Sequence, residues 1–173
     1  VISGAKSIGL DVGISTGTMS FMENESLYSM LVEDGVVVGY SPSNLTELKA
    51  ACHAINERLE FHSSFLLHLV EGLFTIEELN ILLDYHHIPN LLFLGLKALP
   101  SGELPSMTGA MGNEMLRWVQ DKQVTYKTNI SIDTAFANKW QHILSNLKVP
   151  YLSYRTKEGE WSLYLSLIHI SEP

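Results

Sequence analysis

Apolar residues along the chain fall into two kinds of stretch that alternate. In short runs they are nearly continuous, and in longer stretches they recur every three or four positions. The first kind reads as strands and the second as amphipathic helices. The first run is "KSIGLDVGIS", Lys6 to Ser15, and the second is "GVVVGY", Gly35 to Tyr40. "SPSNLTELKAACHAINERLEF" then reads as a helix, with Leu45, Leu48, Ala51, Cys52, Ile55 and Leu59 at helical spacing. Ser43 or Asn44 can cap its start, and Glu47 stands where a capping box needs its acid. "SSFLLHLVEG" is a strand-length apolar run, followed by the helical pattern "TIEELNILLDYH". Thr75 is its N-cap, and Glu77 and Glu78 suit the helix dipole in the first turn. "PNLLFLGLK" is the next strand and "ALPSGELPSMTGAMG" a loop. A helix over Asn113 to Lys122, a strand over Lys127 to Ala135 and the helix "DTAFANKWQHILSNL" complete the pattern. "YLSYRTKEGEWSLYL" alternates about Glu158 and Gly159 and reads as a hairpin.

Near-continuous apolar strands alternating with helices predict a parallel sheet covered by helices. The expected fold class is α/β: a partial (β/α) TIM-like barrel with parallel strands and covering helices, truncated at both ends, with a C-terminal hairpin. No linker or low-complexity stretch divides the chain, so residues 1–164 read as one domain.

Composition narrows the class. With 173 residues, 46% hydrophobic and 17% charged, the chain can bury a core. A formal charge of −8 with 11 Lys plus Arg in no marked cluster argues against nucleic acid as the main partner. No apolar stretch reaches membrane-spanning length; the longest, "SSFLLHLVEGLF", is broken by His68 and Glu71. The lone Cys52 excludes an internal disulfide and fits a reducing, cytoplasmic setting. The expected partner is a small-molecule or peptide substrate, with neither nucleic acid nor membrane.

In a (β/α) barrel the chemistry gathers at the C-terminal ends of the strands. The candidates there are Asp11 and Ser15, then His68 and Glu71, then Lys97, then Asp133. Strand ends are also polar simply because they meet solvent, and Lys97 with Asp133 could be no more than an ion pair. His68 interrupts an apolar strand, so it needs a partner or a cavity. Gly72 permits close backbone approach ahead of the helix at Thr75. Together they read either as an ordinary strand-to-helix turn or as a backbone cradle for a ligand.

"LHLVEGLFTIEEL" resembles the strand-turn-helix of radical S-adenosylmethionine enzymes, in which backbone at the turn contacts the adenine. The order "AKSIGLDV", "SSFLLHLVEG", "PNLLFLGLK", "NISIDTAFA" and "EGEWSLYL" is similar to the later half of a radical-enzyme-like group of bacteria and phages. The resemblance covers most of Ala5 to Leu165. It implies a parent enzyme using S-adenosylmethionine and a 4Fe-4S cluster. His68, Glu71 and Gly72 would lie beside the cofactor, and Lys97 and Asp133 beside cofactor or substrate. The defining Cys-x-x-x-Cys-x-x-Cys motif is missing from this stretch, and one Cys cannot hold such a cluster. The expectation is a C-terminal half-barrel that binds neither cofactor stably and is inactive alone.

"IGLDVGISTGT" resembles instead the first phosphate motif of actin-like kinases and the opening strand of RNase H-like nucleases. That implies a nucleotide-binding phosphotransferase or nuclease-like domain, with Asp11 toward metal and Gly13, Ser15 and Thr16 toward phosphate. An antiparallel meander would then follow through Tyr40. A non-catalytic α/β binding domain is the third reading. The seven His offer no His-x-x-x-His pair, and adjacent His86 and His87 point apart, so zinc is not expected. Cys52 lies on an apolar helix face as core rather than nucleophile. Trp118, Trp140 and Trp161 read as packing, and Met19, Met22 and Met30 as core or a soft lid. The tail "LSLIHISEP", residues 165–173, resembles the read-through of a transposase sequencing adapter, and the chain opens on Val1. We expect a piece of a longer protein whose native sequence stops near Tyr164.

Overall fold

A computed structural model describes residues 2–9, 11–20, 24–57, 64–85, 88, 90–96, 107–122, 128–147 and 152–154. Its centre is a sheet of six parallel strands whose spatial order equals their chain order. The strands are β1 (Gly13–Thr16), β2 (Val37–Tyr40), β3 (Phe65–Val70), β4 (Asn90–Leu94), β5 (Asn129–Ile132) and β6 (Leu152–Tyr154). Helices α1 (Ile2–Ser7), α2 (Glu25–Glu33), α3 (Leu45–Glu57), α4 (Ile76–Leu79), α5 (Gly112–Lys122) and α6 (Thr134–Leu144) alternate with them. A 3-10 turn, Asn80–Asp84, continues α4. The class is therefore α/β, a singly wound parallel sheet with the arrangement of part of a barrel, and the sheet is not closed.

Parallel neighbours in chain order need crossovers of one hand, and the right-handed preference puts their helices on one face. Burial agrees. Phe65, Leu67 and Leu69 of β3 are buried in the core with Leu91, Phe93, Ile130 and Ile132. From α3, Leu48, Ala51, Cys52 and Ile55 pack into the same cluster, as do Met115, Leu116, Trp118 and Val119 of α5. Register puts Ser15, Gly39, Leu66, Leu92 and Ser131 on the other face. There Leu66, Val70, Leu92 and Leu94 are half-buried and Val37 is 41% exposed. The near-continuous apolar strands thus have one sealed face and one open one.

Local chemistry explains most boundaries. Asn44 Oδ1 accepts from Glu47 N at 3.0 Å, and Glu47 Oε2 accepts in return from Ser43 N at 2.7 Å. Thr75 and Glu78 form a reciprocal capping box, at 3.2 and 2.8 Å. The first segment departs from its expectation. "KSIGLDVGIS" does not run as one strand: α1 ends at Ser7, and Gly9, at φ 80°, bonds back to Lys6 O at 2.9 Å. A glycine in the left-handed region stops the helix there, and pairing with β2 begins only at Gly13. The meander of the phosphate-motif reading is not formed either. Asn24 caps α2 by accepting from Leu27 N at 3.1 Å, and β1 pairs with β2 in parallel. Of the hairpin expected over Tyr151 to Leu165 only Leu152–Tyr154 are described, as β6 parallel to β5; the rest of it and the tail at 165–173 lie outside the described residues, as do His86, His87, Met22 and Trp161.

Candidate functional site

The C-terminal ends of β1 to β5 bring most of the candidate residues toward one edge of the sheet. Asp11 is not among them. It precedes Gly13, where β1 begins, so it belongs to the opposite edge from Ser15. The misplacement follows from the shortened strand: an apolar run starting at Lys6 would have carried Asp11 well into β1. Lys97 lies outside the described residues.

Glu71 follows β3 directly, and its side chain is fully buried. Its Oε1 accepts from Gly112 N at 3.0 Å and Trp140 Nε1 at 2.9 Å, and its Oε2 from Leu96 N at 3.3 Å. Lys139 Nζ lies 3.1 Å from both oxygens. Burial pushes the carboxyl pKa up, but these donors outweigh it and hold it below the usual range. The carboxylate thereby ties the end of β4, the start of α5 and the middle of α6 to the end of β3. Trp140 departs from helical geometry (φ −112°, ψ 18°) within α6 while its indole donates to Glu71.

Gly72 sits at φ 80°, and a Cβ there would come within 2.9 Å of Met107 Cγ. Its N–H donates to Ala110 O at 2.9 Å and its C=O accepts from Gly109 N at 2.8 Å. Ala110 N then donates to Phe74 O at 2.7 Å. The turn after β3 is thus zipped to residues 107–110, part of what the sequence reads as plain loop. Asp133 caps α6, its Oδ1 accepting from Phe136 N at 2.8 Å and from Gly95 N at 3.0 Å. Glu71, Gly72 and Asp133 all bind the frame of the strand ends together.

His68 and Ser15 are placed differently. Both stand on the open face, on either side of Gly39. His68 is 6% exposed, and its Nδ1 lies 2.9 Å from Ser41 Oγ. A Cβ at Gly39 would collide with His68 Nε2, so the glycine lets the imidazole lie across β2. Ser15 Oγ is 3.3 Å from that same Cβ position. Burial lowers the His68 pKa and favours the neutral ring. Ser41 and Gly39 escape a sequence reading because their role depends on register. Tyr40 pairs with Leu67, so the next residue on each strand, Ser41 and His68, come side by side.

The donor set does not fit a 4Fe-4S cluster. Cys52 is buried in α3, and burial pushes its thiol up to about 12, the reverse of what a thiolate ligand needs. Among the described residues no group of three His, Cys, Asp or Glu could hold a metal ion. Nor, among them, is any helix long and apolar enough to cross a membrane. Comparison with protein-family models, curated proteins and solved structures finds no match.

Proposed function

We propose that the chain is the ligand-binding half of a (β/α) barrel enzyme of the radical S-adenosylmethionine type. Its ligand would lie on the open face, at the C-terminal ends of β1 to β3. One observation carries this reading: a singly wound parallel sheet gathers Ser15, Ser41 and His68 at that end of its open face. In this reading Glu71, Gly72 and Asp133 shape the strand ends, while His68 and Ser15 face the ligand. The chain by itself performs no radical chemistry, because the cluster ligands would have to come from elsewhere in the parent protein. The phosphotransferase alternative draws less support, since Asp11 and Ser15 belong to opposite edges of the sheet.

The test is to sequence the source gene outward on both sides. The expected result is a Cys-x-x-x-Cys-x-x-Cys motif encoded upstream in the same frame. New coding sequence should also stand in place of residues 165–173. An upstream frame without that motif overturns the radical-enzyme reading.

A further inference from the structure

We infer that His68 Nε2 and Ser15 Oγ form a binding subsite on the open face for a neutral, hydroxyl-bearing compound such as a sugar. The inference shares its location with the proposed function but does not depend on the family.

The imidazole is held by one ring nitrogen only. Nδ1 pairs with Ser41 Oγ at 2.9 Å, whereas Nε2 has no hydrogen-bond partner among the described residues. Nε2 and Ser15 Oγ both border the position above Gly39 where a side chain would otherwise stand. Ser15 is exposed, so its hydroxyl is open to a ligand that also reaches toward Nε2.

The surroundings select the class of ligand. Among the described strand residues on this face none carries a formal charge, so none of them would neutralise a phosphate or carboxylate. A neutral imidazole and two serine hydroxyls instead suit hydroxyl groups, each able to donate and accept. Half-buried Leu66 neighbours Gly39, and Leu92 neighbours His68, giving apolar surface for the C–H face of a sugar ring. Ser41 is a positioning residue: its hydroxyl, able to donate to Nδ1 or to accept from it, holds the ring in place.

The experiment is nitrogen NMR of the His68 side chain in the full chain, titrated with D-ribose and D-glucose. A saturable shift at Nε2 is expected. Ser15→Ala should weaken binding by about fivefold, the worth of one neutral hydrogen bond. Ser41→Ala should change the tautomer ratio of the free protein, and Ser41→Thr should restore it. Gly39→Ala, which displaces the ring, should abolish the shift. Because it could also unfold the sheet, circular dichroism checks its fold, and Ser15→Ala, which keeps the His68 signal, serves as the second variant. No saturable shift in the folded parent overturns the inference, as does ribose 5-phosphate binding tighter than ribose. Lack of an upstream cysteine motif leaves this test unaffected, and lack of a sugar shift leaves the family reading unaffected.

Discussion

Replacing Glu71 with Gln tests the junction at the strand ends most directly. The substitution keeps the shape and removes the charge. One amide oxygen remains to accept, while the new NH2 group meets donors. The partners are two backbone N–H groups, the Trp140 indole and the Lys139 ammonium, at 2.9 to 3.3 Å. At least one buried N–H then loses its acceptor, at about 1–3 kcal/mol, and the remaining bonds lose their charge assistance. The Lys139 side chain is 42% exposed and can turn to water, so its share is discounted to about 0–1 kcal/mol. The sum is about 3 kcal/mol, against a total stability of about 5–15 kcal/mol. For a chain of 173 residues each kcal/mol moves the Tm by about 2–4 °C, so the variant should melt about 6–12 °C lower. Thermal unfolding followed by circular dichroism measures this. The pH dependence supplies a second reading. A carboxyl whose folded pKa is depressed stabilises above its unfolded value of about 4.3 and loses that contribution as pH falls further. The gap between parent and Glu71→Gln should therefore close in acid. A Gln variant that melts with the parent refutes the argument that the buried donors dominate.

Three other measurements follow from the same geometry. Since burial lowers the His68 pKa, His68 should contribute stability that is present above its unfolded value of about 6.5 and lost as pH falls below it; urea unfolding of the parent should show that slope and His68→Gln should not. Cys52, buried and with its thiol pushed up to about 12, should resist iodoacetamide in the native protein and react once urea unfolds it; fast native labelling would contradict the packing of α3. Gly95→Ala should lose about 1–3 kcal/mol or more, because its Cβ would stand 2.5 Å from Phe136 N at the start of α6; an unchanged urea midpoint would show that α6 does not back onto β4.

Much of the frame was legible because it rests on local signals. Thr75 with Glu78, and Asn44 with Glu47, announce helix starts within a few residues of chain. The runs "FLLHLV" and "NLLFL" have the length and composition of buried strands. What escaped depended on the rest of the fold. The sequence around Leu27, Met30 and Leu31 admits a helix, and Asn24 was the signal for its start, but it also fits an extended segment. Lys6 to Ser15 looked continuous because the stop at Gly9 is a matter of backbone angle, not of hydropathy. The site was harder still. Glu71 could be singled out, but its partners stand 68 and 69 residues later on α6, and no local pattern connects them. Ser41 beside His68 follows from register, which appears only once the strands are paired.

The coincidence of strand order with chain order also says how the sheet can form. Each strand bonds only to the strands before and after it along the chain. A newly made βα unit therefore has its docking edge already waiting, and no early strand must wait for a distant one. Folding can proceed by accretion from the N-terminal end during synthesis, with contacts short in sequence and correspondingly small loop-closure cost. The Glu71 junction comes late in that order. Its carboxylate emerges with β3, yet Lys139 and Trp140 follow only with α6, so the nascent edge stays unlocked until the fifth strand has been laid down.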